Sequence, residues 1–409
     1  MNPRDFRNPA AGKIVRIPEG YGAFIPSSLP PQLTFEPELV FALSRADAAI
    51  GELSGMGQTL PNPHLLIGPY MRREAVSSSR IEGTRVSLAD LFRGEVADNQ
   101  LGIDVTNERL EVSNYIQALE HGLRRHSDGF PLSLRLVREM HHILLNGVRG
   151  EHASIGEFRS IQNFIGPPGS TLADAHYVPP PPSELIRLLG DWEAFLHVRD
   201  SFPPLIQCAL IHEQFEAIHP FEDGNGRIGR LLITLFLVER ERMSQPLLYL
   251  SDYIEAHRQD YYELLQAVRT DGDWISWLRF FLTGVEETAI QAMNQARDII
   301  DLREEWRAVP QLKPRALALI DQLFVNPFIT VPFAIRLLNV SRETARQAVL
   351  DLARAGFIQP IKAMTWPRIY VAAPILKILE ERHPSEDAQR RSVRGGNARE
   401  AETVEGHEE

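Results

Sequence analysis

From Leu231 to Val238 the chain reads Leu-Leu-Ile-Thr-Leu-Phe-Leu-Val, apolar on every face except at Thr234. A helix of this kind is stable only with protein on all sides, so it has to run through the middle of whatever the chain builds. Upstream, Leu205, Ala209, His212 and Phe215 fall on one face of a second helix. Between the two lies His219-Pro220-Phe221-Glu222-Asp223-Gly224-Asn225-Gly226-Arg227-Ile228-Gly229-Arg230, a loop feeding the buried helix. That helix cannot leave its first amides unsatisfied. Its free N–H groups, the positive end of its dipole and the small residues Gly224 and Gly226 make the loop a natural anion site.

The side chains sharpen this reading. Arg227 and Arg230 share a helical face and can grip successive phosphates with planar forks, so a polyphosphate is the expected guest. Asp223 offers a hard carboxylate oxygen to Mg2+, which usually takes one or two carboxylates plus substrate phosphate oxygens. His219, with an ordinary pKa near neutrality, suits a general base that removes a proton from an attacking hydroxyl. Gly224-x-Gly226-x-x-Gly229 formally matches a dinucleotide fingerprint, but that motif needs a preceding strand and here a helix precedes. A plain helix-joining turn with solvated arginines is the bland alternative.

At 409 residues with 44% apolar and 24% charged residues, two or three globular domains are expected. A net charge of -11 argues against a protein coated in nucleic acid. The single Cys208 allows neither an intrachain disulfide nor a cysteine-based zinc site, and its place on an apolar helix face reads as a buried structural thiol. No signal-peptide-like core opens the sequence and no run of about 18 apolar residues occurs, so a soluble, cytoplasmic protein without a membrane partner is expected.

Residues 1–33 are rich in Pro and Gly and read as an extended arm, and 34–125 as a helical region. Residues 126–285 form the core around the central loop, interrupted at 156–182 by turn residues that read as a β-hairpin or ordered loop. A linker helix covers 286–310. Residues 311–375 give short helices and then a strand-like stretch, the order of a winged helix-turn-helix. The charged tail 383–409 is expected to be disordered. His212 reads as a packed core histidine, and Trp274, Trp277, Phe280 and Phe281 as caps on the core.

His-Pro-Phe-x-Asp-Gly-Asn-Gly-Arg-x-x-Arg at 219–230 resembles the full signature of the Fic family at every fixed position. The resemblance extends to Gly156-Glu157-Phe158-Arg159, Gln162-Asn163, Tyr177-Val178-Pro179-Pro180-Pro181-Pro182 and Tyr261-Tyr262, covering roughly residues 30–285. It implies a mainly α fold with a short β-hairpin flap, here followed by the winged unit, and AMP transfer from ATP to a Tyr, Thr or Ser of a target protein, the chain itself included. His219 would be the base and Asp223 the Mg2+ ligand. Gly224, Asn225 and Gly226 would cradle phosphates that Arg227 and Arg230 hold, a flap near 164–178 would align the target segment, and Tyr262 resembles an adenine-pocket residue.

Upstream, Ser78-Ser79-Arg80-Ile81-Glu82-Gly83 taken alone reads as a helix end with a surface glutamate. Beside the signature it resembles the family's inhibitory motif, carried by Ser78, Glu82 and Gly83. A carboxylate at Glu82 would pair with Arg230 and occupy the fork meant for the γ-phosphate.

Between Lys313 and Ala373 there are eight Lys or Arg against three Asp or Glu, a positive island in an acidic chain. Arg342 and Arg346 take recognition-helix positions, and Lys362 and Arg368 fall where a wing would touch phosphates. DNA is one partner this fits; a protein partner or a homodimer contact is the other. Beside the AMP transferase stand two further readings, removal of AMP and a DNA-binding regulator whose Fic core senses nucleotide.

Overall fold

The computed structural model describes residues 1–18, 20–59, 62–101, 106–148, 154–167, 169–310, 312–361 and 368–381. After a 3-10 turn at Pro3–Asp5, strands β1 (Gly12–Arg16) and β2 (Gly22–Pro26) pair antiparallel, from Gly12 opposite Pro26 to Arg16 opposite Gly22. Helices follow: α1 (Pro37–Thr59), α2 (His64–Ile81), α3 (Leu88–Leu101), α4 (Asn107–Ser127), α5 (Leu134–Leu144), α6 (Pro182–Leu196), α7 (Pro204–Ile218), α8 (Asn225–Glu239), α9 (Ser251–Ala256), α10 (Arg258–Asp271) and α11 (Trp274–Arg307). The last part is α12 (Pro314–Val325), β3 (Phe328–Thr330), α13 (Val331–Leu338), α14 (Arg342–Arg354), β4 (Gln359–Pro360), β5 (Ile369–Val371) and α15 (Ala373–Glu380), its sheet ordered β3-β5-β4 and antiparallel.

The apolar run 231–238 makes α8 the central helix. Leu231, Leu235 and Leu237 are nearly inaccessible, and α7, α4, α5 and α2 pack around it. α11 lies along α1, closes the core with Trp277 and Phe281, and reaches the C-terminal unit, where Trp306 stacks on Phe357 at 4.4 Å. The stretch expected as a linker helix at 286–310 is thus the continuation of α11. α2 is held from several sides. Tyr70 Oη donates to Ala292 O at 2.8 Å, Arg73 pairs with Asp252 at 2.5 Å and donates to Leu379 O at 2.8 Å, and Glu74 accepts from Tyr115 Oη and the Ser251 N–H.

Two segments differ from expectation in detail. The arm at 1–33 contains the β1–β2 ladder, which docks through the Phe24 N–H on Val178 O at 2.9 Å, a long-range contact that local pattern does not announce. The flap near 164–178 is a loop closed by one bridge, Ile165 opposite Tyr177, because the proline-rich turn at its tip supplies few N–H donors for a longer ladder. Among the described residues no helix is long and apolar enough to cross a membrane. The tail 383–409 lies outside the described residues.

Trp277 is fully buried and its indole N–H donates to Ala209 O at 3.0 Å. Trp277→Ala should therefore destabilise the fold by about 3–5 kcal/mol, a combined cavity and hydrogen-bond loss. Urea unfolding followed by circular dichroism reads this, and a loss below about 1 kcal/mol would contradict the packing described.

Candidate active site

α7 ends at Ile218 and the chain turns sharply. His219 takes a left-handed conformation, φ 50° and ψ 61°, uncommon outside glycine and held only where the surroundings enforce it. The enforcement comes from Arg159. Its backbone N–H donates to Pro220 O at 2.9 Å, and its guanidinium donates to His219 O at 2.9 Å, Pro180 O at 2.5 Å, Ile161 O at 3.2 Å and Ile218 O at 3.4 Å. Asn225 closes the loop from inside, accepting the Phe221 N–H and donating to Phe221 O, both at 2.8 Å. Asn163 donates to the same carbonyl at 2.9 Å. His141 accepts the Gly156 N–H on Nδ1 at 2.9 Å, which leaves the proton on Nε2 to donate to Asp223 O at 3.0 Å, and its ring stacks on Phe221 at 3.7 Å. Burial drives its pKa down to about 4, so it stays neutral.

Of the expected site residues, His219, Asp223, Gly226, Arg230, Glu82 and Tyr262 border one open cleft of about 1370 Å³, with Tyr261 beside them, whereas Ser78, Gly83, Gly224, Asn225 and Arg227 stand behind its lining. Gly224 caps α8, and Asn225, Gly226, Arg227 and Arg230 occupy its first turns. The Asn225 side chain is wholly engaged in the loop, so its part in the cradle is to shape it. Gly226 allows a close approach: a Cβ there would stand 2.4 Å from Glu82 Oε1. The Glu82 carboxylate thus lies against the N-terminus of α8, where an anion belongs.

Arg230 is 2% exposed, and the end of α2 holds its Nε and Nη2. It donates from Nε to Ser78 Oγ at 2.9 Å, and from Nη2 to Ser78 O at 3.0 Å and Glu82 Oε1 at 2.6 Å. Burial opposes both charges, yet the pairing holds the Glu82 carboxyl below its usual range and the Arg230 guanidinium above its own. Gly83 follows Glu82 with φ 103°, and α4 then holds the turn: Glu108 accepts the Arg85 N–H at 3.0 Å, and Glu111 Oε2 accepts from Thr84 Oγ1 at 3.1 Å. Glu111 also faces Arg227 at 3.8 Å, beside a 3.5 Å contact from Arg227 to Asp223.

His219 Nδ1 is buried with no hydrogen bond of good geometry among the described residues, and the Glu216 backbone is the polar group that faces the ring. Burial, then Arg159 and Arg269, lower its pKa to about 3 and keep the ring neutral. Negative charge arriving on a polyphosphate would raise it toward the range where a general base works. Asp223 keeps 53% of its side chain exposed at the rim, with Oδ1 on the Gly224 N–H at 2.6 Å. A lone, accessible carboxylate fits Mg2+ shared with phosphate oxygens, and among the described residues no group of three or more His, Cys, Asp or Glu gathers as a protein-only cage. Tyr262 borders the cleft, 43% exposed, with the Arg258 guanidinium 5.8 Å from its ring. His212 is a buried core histidine that binds Gly229 O at 3.1 Å and Tyr261 Oη at 2.9 Å. Cys208 is buried and its thiol pKa is pushed up by that burial.

Arg342, Arg346 and Arg368 lie on the C-terminal unit, exposed and outside the cleft lining, and Lys362 lies outside the described residues. Arg346 is held by Glu343 through two 3.1 Å hydrogen bonds. Sequence reasoning missed His141, Glu111 and Glu216 and saw Arg159 only as part of a motif.

Asn225→Ala should cost roughly 1–3 kcal/mol, because the buried Phe221 N–H loses the side-chain acceptor it has among the described residues. Asn163→Ala should cost less, since Phe221 O keeps Asn225. Denaturant unfolding of the two variants checks the order, and equal losses would contradict the loop geometry.

The model for the Fic/DOC family N-terminal region matches residues 40–124, and the Fic/DOC family model matches residues 131–237. The chain is 30% identical over 213 residues to the protein adenylyltransferase Fic of Culex quinquefasciatus, covering 51% of this chain and 39% of that protein. It is 27% identical over 255 residues to the Drosophila virilis protein of the same name, covering 59% and 48%. The chain thus spans less than half the length of these curated relatives. A crystal structure of a Fic family protein from Desulfovibrio desulfuricans G20 covers 84% of this chain and 98% of its own, at 21% identity and a TM-score of 0.56, which shows a shared fold. Residues 40–124 and 131–237 of this chain thus resemble the Fic/DOC family, and these two matches support Fic/DOC domains there.

Proposed function

We propose that the chain is a protein adenylyltransferase that moves AMP from ATP onto a Tyr, Thr or Ser hydroxyl of a target protein or of itself, and that Glu82 restrains it. The observation that carries this reading is the Arg230 fork, aimed at the N-terminus of α8 beside a neutral His219 and filled by the Glu82 carboxylate. The relatives' name, protein adenylyltransferase, supports the choice of AMP.

In this reading the backbone of Gly224 to Gly226 and the guanidinium groups of Arg227 and Arg230 bind the polyphosphate. Asp223 would hold Mg2+, which when bound neutralises charge on the phosphate oxygens. Tyr262, with Arg258 beside it, lies where the cleft can take the nucleobase. His219 accepts the proton of the target hydroxyl as its oxygen attacks the α-phosphorus. A new P–O bond forms, the bond from the α-phosphorus to the bridging oxygen breaks, and pyrophosphate leaves with Arg230 around its outer phosphate. Glu82 must first vacate Arg230.

Removal of AMP would use the same residues, with Glu82 orienting a water; it predicts loss of activity when Glu82 is changed. The C-terminal unit, with its helix–strand–helix–helix–strand–strand order, supports a winged helix-turn-helix, and its basic excess favours DNA over a homodimer contact. The pairing of Arg346 with Glu343 weakens that residue as a phosphate grip.

With Mg2+ and ATP labelled on the α-phosphate, Glu82→Gly should label protein about tenfold or more above wild type, the worth of one charge-assisted hydrogen bond. The label should vanish in Glu82→Gly combined with His219→Ala. Equal labelling of wild type and Glu82→Gly would sink the restraint, and no α-label in any variant would sink the transferase reading.

A further inference from the structure

One acidic side chain beside the anion cradle carries a buried oxygen with no hydrogen bond among the described residues. Glu216 sits in the last turn of α7, ahead of His219, and is 6% exposed. Its Oε1 is buried with no hydrogen-bond partner among the described residues. It presses against the first turns of α8, where a Cβ at Gly229 would stand only 2.4 Å from that oxygen, so glycine is needed for the acid to come this near. It also borders the same cleft as His219, Gly226, Arg230 and Glu82. A buried carboxyl left without a partner is costly, and such groups are kept where they serve a ligand.

The groups around it are already committed. On α7, Glu213 pairs with Arg269 at 3.2 Å, His212 is neutral with its pKa near 3, and His219 is neutral as well. On α8, Arg230 is taken by Ser78 and Glu82; at the end of α2, Glu82 is itself an anion; on α10, Arg269 belongs to Glu213, and the Tyr261 hydroxyl to His212. Among the described residues Arg230 and Arg269 are the cations that reach Glu216, and each is already paired with another acid. An ionised Glu216 would repel a polyphosphate, whereas a neutral carboxylic acid would offer it a donor.

We propose that Glu216, held as a carboxylic acid, donates a hydrogen bond from its carboxyl O–H to a phosphate oxygen of the bound nucleoside triphosphate. The proposal deepens the nucleotide reading of this cleft and rests on it. Burial, opposed by Arg230, raises the Glu216 pKa to about 7, so at neutral pH part of the protein carries the proton and the rest must take one up on binding. Below that pH the acid form is ready-made. Above it, affinity falls toward a limit of about tenfold per pH unit.

The test is calorimetric titration of Mg·ATP into the full chain with Glu82 kept, so that Arg230 is paired before the nucleotide arrives, from pH 6 to pH 8.5, in two buffers of different ionisation enthalpy. With Glu216 present, binding near pH 7 should take up a fraction of a proton, and affinity should fall above it. Glu216→Gln keeps an N–H donor, so it should bind about as tightly at pH 6, without that uptake and without the added fall at high pH. Glu216→Ala should bind about tenfold more weakly at pH 6. The same pH profile for Glu216 and Glu216→Gln overturns the proposal, as does wild-type-like affinity in Glu216→Ala. If neither the chain with Glu82 kept nor its Glu82→Gly variant binds Mg·ATP, the nucleotide reading has failed and the proposal falls with it, an outcome distinct from the other two.

Discussion

The buried guanidinium of Arg230 organises the molecule around itself. α8 must run through the interior because of its apolar run, and Arg230 at its start is carried inside with it, 2% exposed. A buried cation is tolerated only when paired and hydrogen-bonded, since desolvation would otherwise cost several kcal/mol. The end of α2 answers with Ser78 O, Ser78 Oγ and Glu82. The groups that answer the charge therefore stand where an anionic ligand would have to bind, and satisfying Arg230 and blocking it become one contact.

That contact has a long lever. α2 also carries Arg73, which reaches Asp252 on α9 and Leu379 O in α15, and it packs on α12. Asn326, at the end of α12, donates to Phe92 O and Glu95 at 3.0 Å each, so α3 is tied to the C-terminal unit as well. The helix that fills the Arg230 fork is thus bonded at its middle to the unit farthest along the chain. Any shift of that unit relative to the core has to be absorbed by α2 and its partners.

Much of the central site was legible because its parts are close in sequence. The break at His219, the glycine-rich start of α8 and the shared face of Arg227 and Arg230 follow from helical periodicity and the needs of a buried N-terminus. The pairing of Glu82 with Arg230 was reached through resemblance to a motif, since nothing local joins residues 148 positions apart. Arg159, His141 and Glu111 hold the site only through distant carbonyls, an N–H, a hydroxyl and a guanidinium, and the same letters occur on countless solvated helix faces. Glu216 carries no local signal, because a buried helical glutamate is spelled like an exposed one, and its approach to Gly229 is visible only in the structure. The β1–β2 ladder escaped because its docking partner, Val178, lies far along the chain.

The account turns on Arg230 being shared between Glu82 and a phosphate, and a double-mutant cycle on Mg·ATP affinity measures that sharing directly. Calorimetry on wild type, Glu82→Ala, Arg230→Ala and the double variant gives the four constants. The account predicts that Glu82→Ala tightens binding about tenfold when Arg230 is present and changes it little when Arg230 is Ala. An equal gain in both backgrounds would show that Glu82 opposes the nucleotide without competing for Arg230, and would contradict the central claim.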